Sequence, residues 1–294
     1  MKTSPLAQLA APFSRRSTLL LGALALAGAA GLSGCAAPAA KTSHQVTMMT
    51  SGAFAATATE LKPGYEAATG DKLTVVYGSS MGGASDSIPA RLARNEPTDV
   101  VILARSALDE LVAQGKVVPG SQVDLVNSLI GFAVRKGAPK PDLSTPAAVR
   151  AALLAAPSIA YSASASGTYY QNEMLKKLGI ESQVLPKSKR ILSERVGTVV
   201  ARGDAELGLQ QVSELLPIPG VDFVGVLPPE LQRMTVFSAG ISTTAQDVEG
   251  ARKLIRYFAS PAVVPVLKRN GLEQASQAAA PAAPARMPAP ALAR

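Results

Sequence analysis

Three short segments decide the fold: residues 46–50 (VTMMT), 73–77 (LTVVY) and 100–103 (VVIL). Each consists mainly of apolar and β-branched residues, which favour strands. A segment with the apolar spacing of a helix follows each one, over residues 53–68, 87–95 and 106–114. Three βα units in succession predict an α/β fold built on a mostly parallel sheet with helices on both faces.

The second half of the chain continues this alternation. Strands are predicted over residues 130–134, 158–161, 207–210, 223–226 and 235–241. Helices are predicted over residues 146–155, 168–178, 196–201, 248–258 and 262–270. Thr145 is the expected N-cap of the first of these helices, with Pro146 at its first helical position. The run 187–190 (KSKR) is interpreted as a solvated loop.

The N-terminus differs from this α/β region. Residues 1–34 resemble a lipoprotein signal peptide, in which three basic residues precede an apolar run of 14 residues at 19–32. That run is shorter than the roughly 20 residues that a membrane-spanning helix needs. Residues 32–35 (LSGC) resemble a lipobox, so we expect cleavage before Cys35 and lipidation of that cysteine. An ordinary signal with an unrelated Cys35 is the alternative.

The remaining segments set the domain limits. Residues 35–43 are predicted to be a flexible leash that ends just before His44, which we expect to be exposed. Residues 274–294 are an Ala- and Pro-rich tail without acidic or aromatic residues, and we expect this tail to be disordered. Residues 44–273 remain as the globular part, which we expect to be in the periplasm and tethered to a membrane by the lipid.

Composition excludes several kinds of site. The 294 residues contain one Cys and one His, which excludes an intramolecular disulfide, a Cys-rich metal centre and a multi-His metal site, so no metal is predicted. The net charge is 29 − 21 = +8, but three of the cations lie in the signal and two in the tail, which leaves 24 − 21 = +3. Because little basic excess remains for a patch, no nucleic-acid partner is predicted.

Three strand-to-helix junctions are rich in Ser and Gly: residues 50–53 (TSGA), 78–83 (GSSMGG) and 162–168 (SASASGT). Helix N-termini carry unpaired N–H groups and a partial positive charge, and hydroxyls add donors, so such junctions suit an anion. In an open α/β sheet they lie where ligands bind. Each junction taken alone is typical of ordinary capping. None has the spacing of a dinucleotide or P-loop motif, and no cofactor is predicted.

The order of several short motifs resembles type II periplasmic solute-binding proteins, in the branch that contains the molybdate-binding proteins of ABC importers. The motifs are SGAF at 51–54, EPTDVVI at 96–102, SLIG at 128–131, SGTY at 166–169, AELG at 205–208 and FASP at 258–261. The resemblance implies a monomer with two lobes, each a mostly parallel sheet flanked by helices, joined by two crossover strands. Lobe 1 would comprise residues 44–127 and 236–273, and lobe 2 would comprise residues 128–235.

The resemblance also implies an anion site between the lobes, built from neutral donors. Ser51 and either Ser79 or Ser80 match serines of the first lobe. Ser166 matches a backbone donor of the second lobe, and the stretch around Ser193 matches another.

Several departures from the family pattern change the expected ligand. Gln211 stands where the family has a tyrosine, the loop at residues 80–87 is longer and richer in Gly, and Arg105 and Arg195 are candidates for full charges. These departures favour a larger or carboxylate-bearing anion over molybdate. The complete set of predicted ligand-binding residues is Ser51, Gly52, Ser79, Ser80, Ser166, Gly167, Thr168, Tyr169, Ser193, Arg195 and Gln211.

Three functional hypotheses follow. The leading one is an extracytoplasmic, lipid-anchored solute-binding protein that closes its lobes around a small anion for an ABC permease. The alternative is an enzyme, because aconitate isomerase resembles the same branch. In that case Arg105, Arg195 and Tyr169 would bind the substrate carboxylates and Glu194 would be the base, without metal or cofactor. A structural lipoprotein with a vestigial cleft is the third hypothesis, and whether the chain is an enzyme stays open at this point.

Overall fold

A computed structural model describes residues 43–276. The predicted signal peptide, Cys35, nearly all of the leash and residues 277–294 of the tail lie outside the described residues. Among the helices that are described, none combines the length and the apolar character needed to cross a bilayer.

The described chain begins with three βα units. Their elements are β1 (Gln45–Thr50), α1 (Gly52–Thr69), β2 (Lys72–Tyr77), α2 (Ile88–Ala93), β3 (Val100–Ala104) and α3 (Arg105–Ala113). Two further strands, β4 (Val123–Ser128) and β5 (Ile130–Arg135), follow with Leu129 alone between them. The strands and helices predicted for this half are present, and β4 is an additional strand. It escaped prediction because Asp124 and Asn127 interrupt its apolar pattern.

The middle of the chain supplies the second sheet and its helices. Its elements are α4 (Pro146–Ala155), β6 (Ile159–Ser162), α5 (Ala165–Tyr169), α6 (Leu175–Lys177), α7 (Glu181–Val184), β7 (Ser188–Ile191), α8 (Val196–Arg202), β8 (Leu207–Gln211), α9 (Val212–Leu215) and β9 (Val221–Val226). A π-helical turn, Tyr170–Met174, joins α5 to α6, and a 3-10 turn, Leu185–Lys187, precedes β7. The KSKR run, interpreted as a loop, therefore contributes to the edge strand β7. Charged side chains are common on edge strands, and they interrupt the apolar pattern by which a strand is predicted from sequence.

The last segment returns to the first sheet. Its elements are β10 (Thr235–Ile241), α10 (Val248–Phe258), α11 (Val264–Arg269) and β11 (Leu272–Gln274), with a 3-10 turn, Pro261–Val263, between the helices. The strand β11 includes Gln274, so it overlaps the predicted tail by one residue. Ala275 continues the pairing, because its N–H donates to the Leu125 carbonyl at 3.0 Å.

Two sheets form the two lobes of the α/β fold. The strand order is β11-β4-β10-β3-β1-β2 in lobe 1 and β7-β6-β8-β5-β9 in lobe 2. The strands of the βα units pair in parallel. By contrast, β10 and β5 are antiparallel to both of their neighbours. These are the strands by which the chain enters one lobe from the other, and each runs against the strands of the βα units in its sheet.

The position of β10 and β5 inside their sheets changes the prediction that the sheets are mostly parallel. Four of the six strands of lobe 1 and four of the five strands of lobe 2 point the same way, as predicted. The hydrogen-bonded pairs are nevertheless mixed, because each crossover strand lies inside its sheet and makes two antiparallel pairs. Each sheet is therefore a mixed one.

Each lobe has its own hydrophobic core. In lobe 1, Phe54 of α1 meets Phe258 of α10 edge to face, with ring centroids 5.2 Å apart. In lobe 2, the rings of Tyr161 and Tyr170 lie 4.9 Å apart. Because apolar side chains are buried within the lobes, the polar ends of the strands are left to face the space between the lobes.

His44 differs from the expectation that it is exposed. Its side chain is only 13% exposed, and its Nδ1 lies 2.7 Å from Asp247 Oδ2, at the N-cap of α10. This pair fixes the beginning of β1, whereas the predicted anion site is at the other end of that strand. His44 therefore takes no part in a Ser-His-Asp arrangement at the predicted site.

Candidate functional site

A cavity of about 140 Å³ lies between the two lobes, at the carboxyl ends of the strands. We call it the inter-lobe cavity. Ligands bind at this edge of open α/β sheets because helix N-termini point towards it. Four of the predicted ligand-binding residues line the cavity, namely Gly52, Ser79, Ser193 and Arg195, and so does Glu194, the expected base. The cavity also contains Gln210 and Glu214, which the sequence analysis did not select.

Glu214 is the buried titratable group of the inter-lobe cavity. It lies on α9 and is 8% exposed. Burial raises the pKa of its carboxyl from 4.5 to about 7, although the positive charge of Arg195 and a hydrogen bond from Gln210 oppose the shift. Gln210 Nε2 donates to Glu214 Oε2 at 2.7 Å. The carboxyl can therefore gain or lose a proton near neutral pH.

Gly52 makes room for this carboxyl. It is the first residue of α1, and a Cβ placed on it would lie 2.1 Å from Glu214 Oε2. Any larger residue would displace the carboxyl. The absence of a side chain therefore brings a carboxyl of lobe 2 against the N-terminus of a long helix of lobe 1, where the partial positive charge favours an anion.

Arg195 supplies a cation to the same cavity. It is the N-cap residue of α8 and is half-buried. Among residues 43–276, every ion pair within 4.0 Å involves other residues. Its charge reaches Glu214 only at longer range. The guanidinium is thus free to bind a carboxylate of a ligand, a geometry for which arginine is well suited.

The two adjacent glutamines of β8 have different surroundings. Gln211, the predicted ligand contact, donates from Nε2 to Thr235 Oγ1 at 3.1 Å and does not line the inter-lobe cavity. Gln210 does line it. Successive side chains of a strand point to opposite faces, so only one of the two can face the cavity. Gln210 is therefore the glutamine at the cavity, whereas Gln211 was the one predicted from the sequence.

Three of the predicted serines are buried beside the cavity rather than in its wall. Ser51 is 2% exposed, and its Oγ has no hydrogen-bond partner among the described residues. Ser80 is fully buried. Its Oγ accepts from the Ala104 N–H at 3.0 Å, and this hydrogen bond holds the 78–83 loop against β3. Ser166 Oγ lies 3.2 Å from Ser162 Oγ. Gly167 lies so close to Ser162 that a Cβ placed on residue 167 would be 1.6 Å from the Ser162 carbonyl oxygen.

A second cavity of about 360 Å³ contains the other predicted residues, Thr168 and Tyr169. Its cations are already paired. Arg105 contacts Asp109 and Asp124 at 2.9 and 2.7 Å. Arg233 pairs with Glu173 and lies 4.7 Å from the centre of the Tyr169 ring.

Two of the expected carboxylate clamps are bound to other groups of the protein. The Arg105 guanidinium is neutralised within lobe 1, and the Tyr169 hydroxyl donates to the Leu231 carbonyl at 2.6 Å. Neither group is free to bind a substrate carboxylate. Of the three expected clamps, Arg195 alone lines the inter-lobe cavity.

The segment before α8 contains two of the residues predicted for the site, Ser193 and Glu194, and both are bound to other side chains. Ser193 Oγ donates to Asp86 Oδ1 at 3.2 Å, which joins lobe 2 to the loop after β2 of lobe 1. Glu194, the expected base, is bound by both terminal nitrogens of Arg202, at 2.8 and 3.1 Å, and this contact lowers the pKa of its carboxyl. An exposed, paired carboxylate is a poor proton acceptor. Glu214 is better placed, and its position directly after a strand end is the signal that the sequence offered.

The arrangement combines three chemical properties in one small space. The cavity contains a carboxyl that titrates near neutral pH, a guanidinium that has no ion-pair partner within the described part of the chain, and a helix N-terminus. Cationic groups can hold an anionic ligand while the carboxyl exchanges a proton with it. Among the described residues there is no cluster of His, Cys, Asp and Glu that could hold a metal ion.

Comparisons with known proteins agree with the two-lobed fold. The substrate binding domain of a putative molybdenum ABC transporter from Clostridium difficile superposes with a TM-score of 0.59 at 17% identity, covering 80% of this chain and 100% of that one. The periplasmic molybdate-binding protein of Azotobacter vinelandii gives 0.58 at 20% identity, with 77% and 98% covered. At these identities the likeness establishes the fold alone.

Sequence comparisons are more specific. An aconitate isomerase from Pseudomonas sp. is 44% identical over 261 residues, which cover 89% of this chain and 97% of that protein. The family model for the bacterial extracellular solute-binding proteins matches residues 46–273, which include nearly all of both lobes. The chain therefore belongs to the bacterial extracellular solute-binding protein family.

Proposed function

We propose that the protein is an isomerase that interconverts cis- and trans-aconitate in the inter-lobe cavity. The observation that carries the proposal is Glu214, a buried carboxyl with a pKa of about 7 in the wall of a cavity that otherwise suits an anion. A protein that only captures anions is hindered by such a group, because an ionised carboxylate repels the ligand. An enzyme that moves a proton benefits from it, since a general base works best when its pKa is near the working pH.

The reaction needs only one proton to move. Aconitate has a methylene carbon and a vinylic carbon on either side of its central, carboxylate-bearing carbon. The Glu214 carboxylate would remove a proton from the methylene carbon, and the electron pair of that C–H bond would delocalise over three carbons and their carboxylates. The Glu214 carboxylic acid would then return the proton to the former vinylic carbon. One C–H bond breaks, one forms and the double bond moves by one position, with no oxidation or reduction.

The remaining groups of the cavity stabilise the charge that develops. Proton removal increases the negative charge on the substrate carboxylates, so a fixed cation nearby lowers the barrier. Arg195 would bind one of these carboxylates, and the N-terminus of α1 at Gly52 would favour charge at the other side. The 44% identity to a protein named aconitate isomerase supports the same assignment.

The test is a turnover assay with matched glutamate variants. We expect the wild-type protein to convert trans-aconitate to the cis isomer, followed by NMR of the vinylic proton. Glu214→Gln should lower kcat by roughly 100- to 10,000-fold, the range typical for loss of a general base. Glu194→Gln removes a carboxylate from the same cavity wall, but one that is bound to Arg202. It should change kcat by no more than a few fold, so full turnover by Glu214→Gln would overturn the assignment of the base.

Capture of a small anion for an ABC permease is the second candidate function. It was the leading hypothesis from the sequence, and the family match and the molybdate-binding structural neighbours favour it. Calorimetric titration with molybdate, tungstate, sulfate, citrate and trans-aconitate separates the two. Binding of an inorganic oxyanion without turnover of aconitate would favour transport, whereas turnover of aconitate favours the enzyme.

We further propose that the protein is a periplasmic monomer anchored through a lipid on Cys35 after cleavage of the signal. The proposal rests on the LSGC segment at the end of the apolar run and on the family of extracellular proteins to which the chain belongs. Cys35→Ala should abolish incorporation of labelled fatty acid and release the protein from the membrane fraction. Unchanged labelling would disprove the anchor.

A further inference from the structure

We propose that Gln210 is a positioning residue for proton transfer, because its amide fixes which oxygen of Glu214 is left for the substrate. The inference rests on the proposed isomerase and adds a residue to its machinery. Gln210 is the penultimate residue of β8, 4 positions before Glu214 in the chain, and only 3% of its surface is exposed. It acts through Glu214 and does not itself contact the substrate.

Both ends of the Gln210 amide are occupied. Its Oε1 accepts from the Val196 N–H at 3.0 Å, and its Nε2 donates to Glu214 Oε2 at 2.7 Å. Turning the amide over would place its NH2 group against the Val196 N–H and its carbonyl oxygen against the Glu214 carboxyl. The first contact sets two donors against each other in either protonation state of Glu214, and the second sets two acceptors against each other once the carboxyl is ionised, so the amide has one orientation.

The fixed amide makes the two oxygens of Glu214 unequal. Oε2 accepts the hydrogen bond from Gln210 and lies beside Gly52 of α1. Oε1 takes part in none of the hydrogen bonds found among residues 43–276. Proton transfer through a carboxylate requires a free oxygen within reach of the substrate. The geometry therefore assigns Oε1 to the substrate and Oε2 to the protein.

Gln210 also links the base to the carboxylate-binding residue. Val196 is the first residue of α8 and directly follows Arg195, so the hydrogen bond to its N–H fixes the backbone from which Arg195 extends. One buried amide thus fixes the positions of Glu214, for proton transfer, and Arg195, for substrate binding, relative to each other. A displacement of either by a fraction of an ångström lowers the rate, because reacting atoms must be about 3 Å apart.

The amide should also control the protonation of Glu214. A donor on Oε2 stabilises the ionised carboxylate and opposes the effect of burial on its pKa. The charged groups that face Glu214 are Arg195 at the start of α8, and Asp86 and Glu194 on the rim of the same cavity. On the side of α1 the cavity is lined by Gly52 and Ala55, which do not titrate.

The experiment uses Gln210→Met, which has a similar length but no donor, and measures kcat/KM against pH. We expect the rising limb of the profile to move by about one unit to higher pH, so that activity at pH 7 falls roughly fivefold. Gln210→Glu keeps an acceptor for the Val196 N–H and adds a carboxyl beside Glu214. It should move the limb further, because two adjacent carboxyls resist ionising together. Gln211→Met, on the same strand, should leave the midpoint where it is.

A second readout does not depend on turnover. The carboxyl carbons of protein labelled with 13C-glutamate are titrated by NMR, and the Glu214 signal is identified by its loss in Glu214→Gln. A higher midpoint in Gln210→Met supports the inference even if no isomerase activity is found, in which case only the proposed function fails. An unchanged Glu214 midpoint in both Gln210 variants would overturn it.

Discussion

At the scale of single residues, the main feature is the conflict around Glu214. Burial disfavours its ionised form, while Arg195 and Gln210 favour that form, and the result is a pKa of about 7 in place of 4.5. The same conflict makes stability depend on pH. The unfolded chain ionises this carboxyl near pH 4.5, whereas the folded protein keeps the proton until about pH 7. The contribution of Glu214 to stability is therefore complete below pH 4.5 and is lost as the pH rises to about 7.

This loss predicts the behaviour of Glu214→Gln, which cannot ionise. Between pH 4.5 and 8, the free energy of unfolding of the wild-type protein should fall relative to that of the variant by about 3 kcal/mol, from the 1.36 kcal/mol per pKa unit of linkage. Urea unfolding at several pH values measures the difference. Glu194→Gln is the control, because the pKa of that carboxyl is lowered and its titration lies below this window. Parallel pH curves for wild type and Glu214→Gln would contradict the prediction.

At the scale of elements, helix boundaries follow closely from local sequence. Thr145 was predicted as the N-cap of α4, and its Oγ1 accepts from the Ala148 N–H at 3.1 Å, with Pro146 at the first position. The ends of α1 and α8 at Gly70 and Gly203 have φ angles of 77° and 86°. Glycine adopts this left-handed conformation without strain, which is why it ends helices.

The N-cap gives a prediction for α4. Thr145→Ala leaves the Ala148 N–H without its side-chain acceptor and should lower the free energy of unfolding by about 1 kcal/mol. Thr145→Ser keeps the acceptor and should be close to wild type. Urea denaturation of the wild type and the two variants measures the differences in the free energy of unfolding. Equal stability of the alanine and serine variants would show that solvent replaces the cap.

Strands were harder to predict than helices, for a physical reason. The apolar period of β4 and β7 is broken by polar or charged residues, which are half-buried in β4 and mostly exposed in β7. Both are recognised only when they pair, β4 with β10 and β7 with β6. Within β8, the strand itself was predicted, but its register was not. The choice between Gln210 and Gln211 depends on which face of the sheet meets the other lobe.

At the scale of the whole molecule, the candidate site exists only because two lobes meet. Gly52 of lobe 1 approaches Glu214 of lobe 2, and Asp86 of lobe 1 accepts from Ser193 of lobe 2. Contacts of this kind are absent whenever the lobes separate. A ligand that binds both lobes would favour the closed arrangement, and residues that bridge the lobes would add to its affinity.

Ser193 tests this coupling. Ser193→Ala removes the hydrogen bond to Asp86 and should weaken the binding of trans-aconitate by roughly 2- to 10-fold, the equivalent of one net hydrogen bond. The expected increase is in KM or Kd, with little change in kcat. Ser121→Ala removes a serine hydroxyl bonded within lobe 1 and serves as the control. A fall in kcat at constant KM would instead place Ser193 in the chemical step.

The sequence by itself determined the α/β class, the succession of βα units, the helix caps and the Ser- and Gly-rich junctions, because these depend on interactions between residues near each other in the chain. It also predicted four of the ligand-binding residues that line the cavity, because the ends of strands can be recognised from local sequence. The tertiary structure decided which polar groups are free. Arg105 and Glu194 are neutralised by partners, Gln210 is selected over Gln211, and Glu214 is desolvated by a lobe that begins far from it in sequence. Charge, burial and proton affinity depend on those distant neighbours, so they could not be derived from the residues alone.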